Sequence, residues 1–288
     1  MRTLILIDFS WLYNKYYYVT LANYSISSVK DKKSKEEALE KMLRQFLTLI
    51  ESSYKGAKIM IALDSPVHTL NNYRIFKGYK QNRNKELKKE VYAFLNNILL
   101  KLVKNLNSKS FSFVKAMGYE ADQILAYIVK KFYNQTKIIV FSGDKDLIQL
   151  TSYENVFISD KFEKGKFILK TDKELFQKFK NSKGEDFTRI SKNKKDILKY
   201  RVLKGDTSDN LSPVFSRIKD KEIIDIVKNY WVEEGVLSEN YIDSIIEEVK
   251  KGNEILAEKL EKSKDIWLRN YKIMDLLHVE GMKVKRLL

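Results

Sequence analysis

Residues 137–146 read Lys-Ile-Ile-Val-Phe-Ser-Gly-Asp-Lys-Asp, an apolar run closed by a Ser142-Gly143 turn and two aspartates one residue apart. The β-branched run bounded by turn chemistry predicts a buried strand that ends in a loop. Asp144 and Asp146 then lie at a strand's carboxyl end, the edge of an open α/β sheet where ligands bind, and two carboxylates there suit a hard cation. The pattern recurs twice. Residues 4–7 form an apolar run that Asp8 ends, and residues 58–63 form another that Asp64 ends. Any one such aspartate is more often a helix N-cap or a turn residue. Three of three predict parallel strands with acids along one edge.

Between these runs, Leu39, Met42, Leu43, Phe46, Leu47 and Ile50 recur at helical spacing and predict an amphipathic helix over 36–54. A second helix is predicted after Gly118-Tyr119-Glu120-Ala121-Asp122-Gln123, with Glu120 and Asp122 in its first turn, where the helix dipole already favours acids. Residues 156–158 and 167–169 suggest a hairpin around Lys164-Gly165-Lys166. Residues 170–195 show no periodicity and read as a linker or loop. Gly205-Asp206-Thr207-Ser208-Asp209-Asn210 brings two further acids, and the chain beyond is helical by pattern.

Charge narrows the class of partner. The chain of 288 residues carries a formal net charge of +16. Residues 72–115 alone hold eleven Lys or Arg against two acids, Glu86 and Glu90. Such clustering favours a polyanion over a merely solvated surface, because basic side chains on nucleic acid gain from counterion release. Tyr79, Lys80 and Arg83 would share one side of a helix, an aromatic beside two cations. There is no cysteine, which excludes disulfides, thiolate catalysis and Cys-type zinc sites. His68 and His278 have no partner at metal-ligand spacing and read as structural. No stretch reaches the length of a membrane span, so no membrane role is expected, and a reducing, cytoplasmic setting is compatible.

Eight acids in turns that can face one edge form a constellation: Asp8, Asp64, Glu120, Asp122, Asp144, Asp146, Asp206 and Asp209. At about 4 Å and an effective dielectric near 20, each like-charged pair would repel by roughly 4 kcal/mol. Divalent cations relieve that repulsion, and oxygen-only ligands point to Mg²⁺ or Mn²⁺.

In their order and spacing these motifs resemble those of the 5′-nuclease superfamily, the flap endonucleases and 5′→3′ exonucleases, from residue 8 to about 215. Arg74, Tyr79, Lys80 and Arg83 resemble its basic motif, and the overall organisation is most similar to the T-even bacteriophage type of RNase H. The resemblance implies an α/β, PIN-like core with a mostly parallel central sheet flanked by helices. It implies a nuclease core over 1–190 with a helical arch at about 80–110, and a helical DNA-binding region over 191–288 that completes a second metal site. Two Mg²⁺ ions are implied, with Mn²⁺ as a substitute. Asp8, Asp64, Glu120, Asp122 and Asp144 would hold the first, and Asp146, Asp206 and Asp209 the second. Lys80 and Arg83 would contact the scissile phosphate and Tyr79 would stack on the terminal base. Arg74, Lys85, Lys88 and Arg217 would hold more of the substrate. The implied substrates are DNA duplexes, RNA·DNA hybrids and 5′ flaps in replication. The implied protein is a cytoplasmic monomer, in the host cytoplasm if phage-encoded, with a single-strand-binding protein or sliding clamp as partner.

Two stretches depart from the superfamily pattern. Gln123 stands where many relatives have a fourth acid, which predicts a weaker second site. Residues 211–218 contain no glycine where relatives have a Gly-rich hairpin, which predicts duplex contacts from Arg217, Lys219 and Lys221 side chains. A non-catalytic nucleic-acid-binding accessory protein fits the basic clustering but gives the eight acids no purpose. A phosphatase of the haloacid dehalogenase type would need an acid where Ser10 stands.

Overall fold

In the computed structural model, the described residues are 2–26, 32–65, 67–83, 97–102, 105–106, 109–176, 193–232, 236–279 and 281–287. Among them, the strands are β1 (Thr3–Asp8), β2 (Lys58–Ala62), β3 (Phe111–Lys115), β4 (Lys137–Phe141), β5 (Val156–Glu163), β6 (Lys166–Leu169) and β7 (Lys285–Arg286). They form one sheet in the order β6-β5-β4-β1-β2-β3-β7. β1 to β5 pair in parallel. The two edges are antiparallel, β6 by the predicted hairpin and β7 by return of the C-terminal segment to β3.

Alternation along the central strands builds two cores. Leu4 and Leu6 of β1 and Ile138 and Val140 of β4 face one layer. Ile5, Ile7, Ile139 and Phe141 face the other. With both faces apolar, the sheet must be covered on both sides, and each fully buried Leu or Ile adds about 1.5–3 kcal/mol. Helices α1 (Phe9–Ile26) and α2 (Lys32–Ser53) cover the Ile5 side. The helix Ala121–Phe132 and the C-terminal helices cover the other.

The expected α/β architecture is thus present, with local corrections. α2 begins at Lys32, four residues before the predicted start. α1 was not anticipated, because its tyrosines blur the contrast between faces, although Phe9, Leu12 and Tyr13 at helical spacing are all buried. Within the stretch read as a linker or loop, Asp172–Phe176 is helical. Its start is secured by Thr171 and Glu174, which cap each other reciprocally. Residues 177–192 lie outside the described residues. So do 84–96, the part of the expected arch that holds Lys85 and Lys88.

The basic segment also differs from expectation. α3 (Leu70–Ile75) ends before it, and residues 77–82 make successive turns in which Lys80 adopts a left-handed φ of 54°. Tyr79, Lys80 and Arg83 therefore do not share a helix face. Among the described residues no helix is long and apolar enough to cross a membrane.

Candidate active site

The acids at the carboxyl edge are oriented by neutral donors from neighbouring segments. Asp8 Oδ1 accepts the Trp11 amide at 3.1 Å, and Asp8 Oδ2 accepts the Ser142 hydroxyl at 3.1 Å. Asp64 accepts the Ala121 amide and the Ser10 hydroxyl, each at 2.8 Å. The Asp144 amide donates to Ser142 Oγ, and the Asp146 amide donates to Asp144 Oδ1 at 2.9 Å. Gly143 allows this turn because a Cβ there would lie 2.4 Å from Trp11 Nε1. Ser10, which counts against a haloacid dehalogenase, thus has a job of its own in aligning Asp64.

Crowding leaves an electrostatic imprint. Burial pushes the Asp8 carboxyl up to about 7, with Asp64 and Asp144 adding to the rise. Burial and then Glu120 push Asp122 well above the ordinary carboxylate range. Asp146, whose side chain keeps 23 % exposure, is pushed up to about 6 by burial and its acidic neighbours, against the pull of Arg201.

A second group of acids is bound to cations. Lys80 Nζ pairs with Glu120 Oε1 and lies 3.9 Å from Asp209 Oδ1. Arg83 donates to Asp209 Oδ1 at 2.6 Å. Arg201, from the helix Lys195–Lys204, pairs with Asp146 and donates to Asp206 Oδ2 at 2.6 Å. Burial would lower the Lys80 pKa, but Glu120 and Asp209 outweigh it and the ammonium stays charged. The Tyr79 hydroxyl lies 2.7 Å from Glu120 Oε2 and 3.2 Å from Asp209 Oδ2, and its pKa is driven up by burial and those acids.

The turn that carries Asp206 and Asp209 depends on Gly205, at φ 73°, where a Cβ would meet the backbone of residues 211–213 at 2.6 Å. Asn270 Nδ2 pins both sides of that turn, donating to the Val202 and Ser212 carbonyls. The turn is laced to the basic segment by Asn210 to the Gly78 carbonyl and Asn82 to the Thr207 carbonyl, each at 2.7 Å.

A cavity of about 580 Å³ opens where these parts meet. Asp8, Asp64, Glu120, Asp122 and Asp144 line it together with Lys80 and Arg83, and Trp11, Tyr18, His68 and Lys145 reach it as well. Asp146 and Asp209 lie behind it with Tyr79 and Arg201. Seven of the eight acids thus line two adjoining spaces, and Arg201 ties the eighth, Asp206, to Asp146. Among the described residues no three carboxyl or imidazole side chains are gathered to grip one ion. The reason is visible in their bonds, since Asp8, Asp64, Asp122 and Asp144 are turned to amides and hydroxyls, and Glu120, Asp146, Asp206 and Asp209 to Lys80, Arg83 and Arg201.

Other expectations are corrected by burial. Tyr79 is 6 % exposed with its ring in the core, so it offers no face for stacking on a base. Gln123 is buried, its Oε1 accepting the Glu120 amide and its Nε2 donating to Asn72, so it caps the helix while bordering the small space beside Asp146 and Asp209. Arg74 and Arg217 are exposed, Arg217 in a left-handed conformation. His278 lies beyond the end of the last helix and pairs with Asp275, while His68 sits 3.0 Å from the Ser65 carbonyl at the cavity wall. Arg201 was not anticipated. The signal was a cation in the otherwise apolar Val202-Leu203 stretch just before the Gly205-Asp206 turn.

Residues 3–182 match the family described as 5′-3′ exonuclease, N-terminal resolvase-like domain. The chain belongs to the 5′-3′ exonuclease family. Among curated relatives, a 5′-3′ exonuclease of Mycoplasmopsis pulmonis is 26% identical over 98% of this chain and 83% of its own length. One of Aquifex aeolicus is 28% identical over 86% of this chain and 77% of its own. A solved bacteriophage T5 flap endonuclease, in a pseudo-enzyme-product complex with DNA and metal ions, shares the fold at a TM-score of 0.63 and 16% identity. That match covers 96% of this chain and 90% of the phage protein. For a 5′-3′ exonuclease the carboxyl-edge cavity is the natural place for chemistry. Its donors fit a divalent ion, since the set is all oxygen and the raised carboxyls of Asp8 and Asp122 lack a compensating cation sufficient to hold them ionised.

Proposed function

We propose that this exonuclease is a Mg²⁺-dependent 5′-nuclease that acts exonucleolytically and on flaps. Its substrates would be RNA·DNA and DNA·DNA duplexes, and its task the removal of RNA primers and flaps in DNA replication, phage replication in particular. The observation that supports this most is the cavity itself, with five carboxylates on its wall and Lys80 and Arg83 at the same opening.

Asp8, Asp64, Glu120, Asp122 and Asp144 would hold one Mg²⁺, and Asp146, Asp206 and Asp209 a second, with Mn²⁺ able to replace either. When bound, such ions polarise the phosphate and activate water for phosphodiester hydrolysis. The chain's own residues do the rest. Ser10, Ser142 and the Trp11 and Ala121 amides fix the orientation of Asp8 and Asp64. Lys80 and Arg83, both salt-bridged to acids, can exchange those partners for phosphate oxygens and stabilise developing charge. Tyr79 stays protonated and holds the carboxylate of Glu120 in place.

In the same reading, 1–190 is the nuclease core and 191–288 the DNA-binding part. The chain acts as a monomer in the cytoplasm, with a single-strand-binding protein or sliding clamp as partner, and Arg74, Lys85, Lys88 and Arg217 contact substrate. The test is a 5′-labelled flap and a 5′-labelled RNA·DNA hybrid incubated with Mg²⁺ or with EDTA. Wild type should cleave both only with Mg²⁺, and Asp144→Asn should bind DNA without cleaving it. Cleavage by Asp144→Asn at the wild-type rate would sink the proposal.

A further inference from the structure

Arg201 brings a permanent positive charge into the acids assigned to a second metal. Its side chain is 9 % exposed, and its two terminal nitrogens are divided between acids from separate segments. One nitrogen pairs with Asp146, which follows β4, and the other donates to Asp206 Oδ2 at 2.6 Å in the turn after the helix Lys195–Lys204. A guanidinium is planar, is charged throughout the working pH range and bonds carboxylates through a rigid fork, so this clasp forms before any ion arrives. Asp8, Asp64 and Asp144 are different. They accept from amides and hydroxyls, which orient a carboxylate without neutralising it.

We infer that Arg201 is the resident counter-cation of the Asp146–Asp206 pair, so that the two metal sites are unequal. In the first set Glu120 is paired to Lys80, while Asp8, Asp64 and Asp144 take a divalent ion directly. The second takes one only as the guanidinium gives up its hold on the carboxylates. Arg201 therefore sets the ion concentration at which the second site fills. This inference rests on the divalent-metal reading above.

Calorimetric titration of the full chain with Mn²⁺ alone, without nucleic acid, tests it. Wild type should show one tight and one weak site. Arg201→Gln should tighten the weak site by about tenfold or more while leaving the tight one in place, and Arg201→Lys, which keeps a charge but loses the fork, should fall between. Should Arg201→Gln unfold without metal, the Mn²⁺ dependence of its thermal midpoint reports the same affinity. A weak site that is unchanged or weaker in Arg201→Gln, while Asp144→Asn loses the tight site, overturns the inference and leaves the metal reading standing. Two equally tight sites in wild type overturn it as well. Absence of Mn²⁺ binding by wild type overturns both.

Discussion

The Lys80 amide donates to the Asp209 carbonyl at 3.0 Å while Lys80 Nζ reaches within 3.9 Å of Asp209 Oδ1, so backbone and side chain of one residue are tied to the same acidic turn. The left-handed backbone of Lys80 makes both contacts possible at once. Replacing Lys80 with Ala removes the ammonium from the cavity. Turnover on a flap substrate should fall by about 10²-fold or more, with the dissociation constant for the flap changing far less. Single-turnover kinetics beside an equilibrium binding assay separates the two, and an unchanged rate would remove Lys80 from the chemistry.

Tyr79→Phe keeps the buried ring and deletes only the hydroxyl. Glu120 Oε2 then loses its 2.7 Å donor and keeps Asn72 Nδ2 at 3.3 Å. Loss of a buried hydrogen bond to a charged acceptor should cost about 1.5–3 kcal/mol. Thermal unfolding should show a midpoint lower by several degrees, and an unaltered midpoint would mean that the hydroxyl contributes nothing net.

Gly143→Ala places a methyl group 2.4 Å from Trp11 Nε1, closer than atoms can pack. The indole must move away from the turn that orients Asp144. We expect destabilisation of about 1–3 kcal/mol with a changed tryptophan emission, since Trp231 and Trp267 lie far along the chain in the other core. Emission spectra and chemical denaturation check both effects together.

Stability without metal should fall as pH rises. Asp8 titrates near 7 in the folded chain against an ordinary 3.8, and Asp122 and Asp146 are shifted the same way. Between about pH 4 and 7 the folded state therefore holds protons that the unfolded chain has released. The stabilisation from those protons is complete below the unfolded pKa and is lost as pH climbs through the folded one. In EDTA the unfolding midpoint should drop from mildly acid to mildly alkaline pH, and Mg²⁺ should flatten that drop by compensating the carboxylates. Equal slopes in the two conditions would show that the ion does not reach these acids.

The strand-and-acid pattern was legible in the sequence because it is local. A buried strand announces itself by four or five apolar residues, and an aspartate follows at once after the runs ending at Ile7 and Leu63 and after a Ser-Gly turn beyond Phe141. The unbroken apolar run from Leu4 to Ile7 read as a buried strand, and its residues do fill the cores on both faces of the sheet. Other features lay beyond such reasoning. Tyr79 reads as an exposed aromatic among cations until the core it enters is known. Gln123 reads as a missing acid until its side chain is seen capping its own helix.

By itself, then, the sequence determined which residue types stand at the carboxyl edge, and that they are acids with oxygen donors only, because backbone pattern and polarity act over a few neighbouring residues. Tertiary structure alone decided how those acids are compensated. Arg201 meets Asp146 across 55 positions, and Lys80 meets Asp209 across more than twice as many. Which cation faces which carboxylate depends on how helices and turns pack against the sheet, and no local pattern encodes that pairing.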